Sequence, residues 1–276
     1  MFATAVIVFR EVLEAALIVG ILAAATRAIP GRNGWLAAGI VVGLAGAGLV
    51  ALGTGRIAEM ASGMGQELFN AAVLGLAVVM LAWHNLWMSA HGAALAADAR
   101  NVGSAIRDGR SECRILLLVV GLAVLREGSE TVLFLYGIAA SQGAAAPAML
   151  AGGAAGLAAG AGLGYIVYKG LLKIPLRWFF TATGILVLFL AAGMASQAAR
   201  FLIQADVLPS LATPLWDTSA WLPQSSIAGT LLHGLIGYEA QPSGMQIVFY
   251  VLVLGAIAAG MKWIAARGAA RAAAPL

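Results

Sequence analysis

Charged residues are scarce in this chain. Only 10% of its 276 residues are Asp, Glu, Lys or Arg, whereas 62% are hydrophobic. Soluble domains carry about 25% charged residues, so a soluble globular protein is excluded. No change in composition divides the sequence. We therefore expect one multi-pass membrane domain that spans residues 1–276.

Cysteine and several functional motifs are also missing. The one cysteine, Cys113, excludes an internal disulfide and a multi-thiolate metal site. No basic residue precedes the first apolar run, which is unlike a cleaved signal peptide, so we expect the first helix to be retained. The sequence lacks the G-x-x-x-x-G-K-[ST] motif of ATP-binding proteins. The net charge of +4 fits basic cytoplasmic loops, so we expect no nucleic-acid partner. We also expect no bound cofactor and no enzyme activity.

Long apolar segments predict an all-α integral membrane protein. A helical span needs about 20 mostly apolar residues. By this criterion we predict seven transmembrane helices, bounded in several places by proline or glycine. They are Phe2 to Ile29, Trp35 to Gly53, Phe69 to Ala90, Ile115 to Ala140, Ala148 to Leu172, Trp178 to Phe201 and Met245 to Ala266.

Basic residues predict the orientation. If the N-terminus lies outside the cell, twelve Lys and Arg residues lie on the cytoplasmic side and only Arg56 and Arg200 lie on the outer side. This count leaves out Arg10 and Arg126, which lie within predicted spans. Cytoplasmic loops carry such an excess in membrane proteins. We therefore expect the N-terminus out and the C-terminus in. Five of the eight acidic residues beyond the predicted spans fall outside, where they would attract cations.

The same Arg-Glu-x-x-Glu spacing occurs twice, 116 positions apart. Motif one is Arg10 to Glu14, and motif two is Arg126 to Glu130. A charge at the centre of a bilayer costs about 2.5–3.5 kcal/mol on insertion scales, so six charges within two apolar spans point to a function. Because positions i and i+3 share a helix face, each motif presents two carboxylates together.

A wider internal repeat accompanies the motifs. The second span carries small residues such as Gly39 and Gly43 at every fourth position, and the fifth carries Gly152, Gly156 and Gly160. Such stripes allow close helix packing in membranes. A repeat with an odd number of spans must recur upside down, so we predict two inverted three-helix repeats and a seventh helix, an arrangement of many transporters.

The predicted spans divide the single domain into four regions. Repeat one covers about 1–90, repeat two about 115–201, an outer loop about 202–244 and the last helix about 245–266. Within the loop, the apolar stretch Ser226 to Ile236 is too short to span a bilayer. We expect a short interfacial or re-entrant helix there.

Facing one another, the two motifs would form a metal site from Glu11, Glu14, Glu127 and Glu130. Hard cations prefer such oxygen ligands, and the hydroxyl of Ser129 could add another. Arg10 and Arg126 precede Glu14 and Glu130 by four positions, close enough for accessory charge pairing. The alternative is that these charges only hold two helices together.

The segments around both motifs resemble the sequences of a known family. Residues Phe9 to Gly20 and Leu125 to Phe134 resemble the paired signatures of the high-affinity iron permease family, the oxidase-dependent iron transporters of bacteria and fungi. The similarity extends to Gln66 to Phe69, to Gly229 to Leu232 and to Pro242-Ser243, and so covers nearly the whole chain.

The resemblance implies import of iron ions across the bacterial cytoplasmic (inner) membrane, with the motif glutamates carrying the ion. It also implies an extracellular or periplasmic iron-oxidising or iron-delivering partner protein. The sequence leaves open whether the iron is ferrous or ferric. Transport of another divalent metal or of protons, and a non-transporting structural subunit, remain as alternatives.

Three further residues are candidates for a secondary role. Glu67 and Glu239 lie in predicted outer segments and could guide ions to the membrane. His84 is a polar residue in the third span, where it should face the bundle interior. For His84 we favour a hydrogen-bonded packing role over a ligand role.

Overall fold

The computed structural model describes residues 1–61, 65–142, 146–170 and 176–273, and over these residues the protein is built from helices without strands. In lipid a helix satisfies its own backbone polar groups, which explains this choice in so apolar a chain. The helices are α1 (Phe2–Ala25), α2 (Arg32–Ala61), α3 (Gln66–Arg107), α4 (Ile115–Gln142), α5 (Ala146–Tyr168), α6 (Leu176–Gln204), α7 (Ile227–Ile236) and α8 (Gly244–Ala273). The all-α prediction is confirmed.

Five helices in the described part of the chain are long and apolar enough to cross a membrane. The corresponding segments are Arg32–Thr54, Gln66–Met88, Ala146–Tyr168, Thr181–Gln204 and Gly244–Ile264. Helices α1 and α4 are 24 and 28 residues long but fall outside this set, because each carries the three charged side chains of its motif. The helices that lack a clear apolar window are therefore those that carry the motifs.

Helix α3 is much longer than its predicted span. The apolar pattern predicted an end at Ala90, whereas the helix continues to Arg107 and has 42 residues. Its additional turns are packed: Ile106 is buried, and a Cβ on Gly103 would lie 2.3 Å from the Cβ of Ala25. The predicted span therefore agrees with the apolar segment Gln66–Met88 to within a few residues, and the helix extends beyond that segment where it packs against α1.

Each motif helix packs against a glycine-striped helix from the other half of the chain. Helix α1 packs against α5, and α4 packs against α2. A Cβ on Gly156 of α5 would lie 2.5 Å from the carbonyl oxygen of Ala5, and a Cβ on Gly43 of α2 would lie 2.6 Å from the Cβ of Val124. Only glycine permits such proximity, so the predicted close packing is confirmed and it sets the positions of both motifs.

Apolar side chains fill the bundle on one side of the motifs. The cluster includes Ile7 on α1, Leu81 on α3, and Phe134 and Ile138 on α4, together with residues of α6. We call this cluster the apolar layer. Along their helices these residues lie toward the N-terminus of α1 and toward the C-terminus of α4, which is the side predicted to face outward.

The connection between α6 and α8 contains the predicted short helix, α7. Its N-cap is Ser226, whose side chain accepts a hydrogen bond of 2.9 Å from the backbone N–H of Gly229. The loop around α7 is hydrogen-bonded internally: the Tyr238 hydroxyl donates to the carbonyl of Leu222 at 2.9 Å. Trp221 in this loop is 93% exposed.

Candidate metal centre

Motif one lies entirely inside the bundle. Arg10, Glu11 and Glu14 are 3%, 1% and 3% exposed. The Arg10 Nε lies 3.1 Å from Glu14 Oε1, and its Nη1 lies 4.0 Å from Glu11 Oε1. The predicted pairing of Arg10 with Glu14 is thus present.

Motif two is more open. Glu127 is 3% exposed, but the side chains of Glu130 and Arg126 are 17% and 35% exposed. The Arg126 Nε lies 3.1 Å from Glu130 Oε1 and 3.7 Å from Glu127 Oε1. Its guanidinium lies over the Trp87 ring, 4.2 Å from the centroid, in a cation–π contact that the sequence did not reveal.

The two motifs meet at His84. Its Nε2 lies 3.5 Å from Glu14 Oε2 and 3.8 Å from Glu11 Oε2, while its Nδ1 contacts Glu130 Oε2. One ligand atom from each of four residues, Glu11, His84, Glu127 and Glu130, lies within 4.8 Å of the other three. We call these four residues the buried cluster. Glu14 lies outside this set and contacts His84 and Arg10 instead.

Several acceptor atoms here lack a well-formed hydrogen bond within the described structure. They include both carboxylate oxygens of Glu11, both of Glu14 and Oε2 of Glu127. Burying a carboxylate without compensation is costly, and buried charges are normally paired or coordinate metals. Convergent acceptors of this kind suit a cation that passes through or binds between the helices.

His84 faces the bundle interior, as predicted, and contacts carboxylates of both motifs. The ring is 2% exposed and sits edge-on to Phe134, with a centroid distance of 6.3 Å. Its neighbour Asn85 donates a 3.2 Å hydrogen bond to the carbonyl of Gly184 on α6, which helps to hold this part of α3. The signal in the sequence was a polar pair inside an apolar span, but only the tertiary fold places the imidazole between two motifs.

The other predicted residues lie apart from the buried cluster. The Ser129 hydroxyl donates to the carbonyl of Leu125 at 2.6 Å and is not among the clustered ligand atoms. Glu67 is exposed in the first turn of α3, 17 positions before His84 and therefore about 25 Å away along the helix. Glu239 accepts a 2.9 Å hydrogen bond from Gln197 and lies 3.7 Å from His233, near α7.

A cavity of about 730 Å³ reaches the motifs from the side opposite to the apolar layer. Arg10, Glu14 and Glu127 line it near the motifs, and Arg100 and Tyr168 line it farther along α3 and α5. We call it the central cavity. It approaches the motifs from the side where α1 ends, which is the predicted inner side. The cavity and the apolar layer therefore lie on opposite sides of the buried cluster.

The arrangement can bind a cation through three carboxylates and one imidazole. Oxygen ligands suit hard cations, and imidazole adds a ligand that suits borderline transition metals. Two arginines and four glutamates leave a formal charge of −2 on the two motifs together. A divalent ion would neutralise that charge.

The sequence is similar to those of known proteins. The model of the Iron permease FTR1 family matches residues 1–267. Ferrous iron permease EfeU of Escherichia coli O6:H1 is 34% identical over 267 residues, which cover 94% of this chain and 95% of that protein. Ferrous iron permease EfeU of Yersinia pestis is 32% identical over 262 residues, which cover 92% and 90%. No solved structure matches the chain. The chain belongs to the Iron permease FTR1 family.

Proposed function

We propose that this protein imports ferrous iron across the bacterial cytoplasmic membrane, with the buried cluster and Glu14 as the ion-carrying groups. Membership of an iron permease family supports transport as its activity, and the relatives that are named ferrous iron permeases support ferrous iron as the cargo. The observation that carries the proposal is the convergence of carboxylates from both motifs on His84 in the protein interior.

The helix pairing supports the inverted-repeat topology. In two such repeats, α1 corresponds to α4, α2 to α5 and α3 to α6. The contact of α1 with α5 is then equivalent to the contact of α4 with α2. Both contacts are extensive, and α3–α6 maps onto itself. We therefore propose seven transmembrane helices with the N-terminus outside, and one domain containing repeats at about 1–90 and 115–201.

The two sides of the buried cluster support a route for the ion. The apolar layer closes the predicted outer side, whereas the central cavity reaches Glu14 and Glu127 from the predicted inner side. In alternating access, this is a conformation that releases iron to the cytoplasm. Iron would enter when the apolar layer separates, bind the carboxylates, and leave through the cavity after that layer closes.

The arginines balance charge between transport events. Arg10 lies beside Glu14 and Arg126 beside Glu130, so each motif retains a positive partner when no iron is bound. An arriving divalent ion competes with these guanidinium groups for the same oxygens. The arginines would then swing away and return after the ion has left.

An external protein would deliver the iron. Glu67 and Glu239 lie in segments that the proposed topology places outside, and Glu239 belongs to a polar group with His233 and Gln197. These carboxylates would receive the ion from an iron-oxidising or iron-delivering partner and raise its local concentration.

The direct test is uptake of radioactive ferrous iron by proteoliposomes that contain the full chain. Glu11→Gln and Glu127→Gln replace buried carboxylates with neutral groups of similar shape. We expect each to lower uptake at least about 100-fold, because ligands from both motifs are required. The matched control is Glu112→Gln, since that exposed carboxylate pairs with Arg114 away from the cluster.

Correct insertion must be measured for every variant by protease protection and by gel filtration in detergent. Inserted Glu11→Gln protein with normal uptake would contradict the carboxylate route. Loss of insertion in both cluster variants, with Glu112→Gln inserted normally, would instead favour the structural role for the motifs.

A further inference from the structure

His84 is the one non-oxygen donor in the buried cluster, and the internal repeat does not supply a second. The motifs duplicate their glutamates, but α6, which corresponds to α3 in the other repeat, contains no histidine. The carboxylates of both motifs therefore share one imidazole. A ligand without a counterpart can set the preference of the site while the duplicated glutamates supply its charge.

The geometry around His84 is that of an oriented metal ligand. Its Nε2 faces the carboxylates of motif one at 3.5 and 3.8 Å, and its Nδ1 contacts Glu130 of motif two. Histidines that bind metals usually donate their other ring N–H to a carboxylate or a carbonyl. Whichever nitrogen of His84 takes the ion, the other retains a carboxylate partner.

An imidazole discriminates between ions that carboxylates alone treat similarly. Carboxylate, carbonyl and water ligands suit Mg²⁺, Ca²⁺ and Mn²⁺, whereas imidazole suits iron, nickel, copper and zinc. Mg²⁺ also demands near-ideal octahedral oxygen coordination and gives up its water reluctantly. A site in which a fixed imidazole occupies one coordination position therefore disfavours Mg²⁺.

We propose that His84 is the specificity-determining ligand of the permease, which selects ferrous iron over the hard divalent ions Mg²⁺ and Ca²⁺. This inference rests on the proposed transport through the buried cluster. It adds that the glutamates provide charge and affinity, while His84 decides which divalent ion is carried.

The test measures ferrous iron uptake by proteoliposomes under anaerobic, reducing conditions with increasing Mg²⁺ or Ca²⁺. His84→Gln and His84→Glu replace the nitrogen donor with oxygen donors. We expect the preference for iron over Mg²⁺ to fall about ten-fold or more in both variants. His91→Gln is the matched control, because His91 is an exposed residue of the same helix that stacks on Trp87. It should retain the wild-type preference.

An unchanged preference in inserted His84→Gln protein would overturn the proposal. If Glu11→Gln abolishes uptake while His84→Gln keeps the preference, only the assignment of specificity fails. If Glu11→Gln also transports normally, the proposed function itself fails. These two failures are therefore distinguishable.

A spectroscopic measurement covers the case in which His84 variants do not insert. The chain contains three histidines, so His91→Gln combined with His233→Gln leaves His84 alone. Electron spin echo modulation of Cu²⁺ bound to this double variant should show the remote nitrogen of a coordinated imidazole. Bound Cu²⁺ without that nitrogen signal would overturn the role of His84 as a ligand.

Discussion

The two motifs have the same charged residues and spacing but different surroundings. Motif one is the more deeply buried, with Arg10 only 3% exposed, whereas the side chain of Arg126 in motif two is 35% exposed and lies over Trp87. Both arginines nevertheless make the same 3.1 Å contact to a glutamate four positions later. Local sequence therefore determines the pairing within each motif, while the packing around it determines how strongly that pairing matters.

The loss of stability on removing the arginine should differ most between the two motifs. Arg10→Met leaves Glu11 and Glu14 as buried carboxylates without their guanidinium partner, which should cost about 3–5 kcal/mol. Arg126→Met removes a partly exposed partner, and should cost roughly 1 kcal/mol. Thermal unfolding in detergent would measure both. Equal losses would show that the two motifs have equivalent surroundings and would remove the contrast.

Replacing the glycines that pack against the motif helices should cause a smaller loss of stability. Gly156→Ala and Gly43→Ala would force Cβ atoms against α1 and α4, and overpacking of this kind costs about 1–3 kcal/mol. Both variants should melt at lower temperature and transport less iron. The matched controls are Gly153→Ala and Gly48→Ala, because a Cβ at either position has nothing within 4 Å. If a control is as damaging as its partner, the close contact is not the cause.

The access of reagents to the two motifs should also differ. Leu17 and Leu133 follow their motifs at equivalent positions, but only Leu17 lines the central cavity. In a Cys113→Ser background, Leu17→Cys should react with a membrane-impermeant thiol reagent from the inner side about ten times faster than Leu133→Cys. Reaction rates in inside-out and right-side-out vesicles would show this. Faster labelling of Leu17→Cys from outside would contradict the proposed orientation.

Replacing Trp87 should cause the smallest loss of stability. Its ring makes a cation–π contact with Arg126 of motif two. Its contact with Arg126 should contribute about 0.5–1 kcal/mol, so Trp87→Leu should slightly lower the melting temperature. The double variant with Arg126→Met should show coupling of the same size. Trp83→Leu serves as the control, because Trp83 is 70% exposed and lies on the same helix. Coupling of Trp83 to Arg126 as strong as that of Trp87 would argue against a specific cation–π contact.

Much of the local structure could be predicted because it depends on short-range patterns. Helix-length apolar segments predicted the all-α fold, the i+4 spacing predicted the arginine–glutamate pairs, and glycine stripes predicted close packing. The end of α3 could not be predicted, since its last turns are stabilised by contacts with α1 beyond the hydrophobic segment. The contacts of His84 with both motifs could not be predicted either, because a polar residue in a span indicates an inward position without naming its neighbours.

The sequence alone determined that this chain is a membrane protein with two buried, repeated carboxylate motifs, because composition and spacing suffice for those conclusions. Only the tertiary structure decided that motif one is more deeply buried than motif two, that His84 lies between them, and that a cavity reaches them from one side. The physical reason is that coordination and access depend on distances between helices. Residues 11, 84, 127 and 130 are far apart along the chain, and the α1–α5 and α2–α4 contacts bring the motif helices into place.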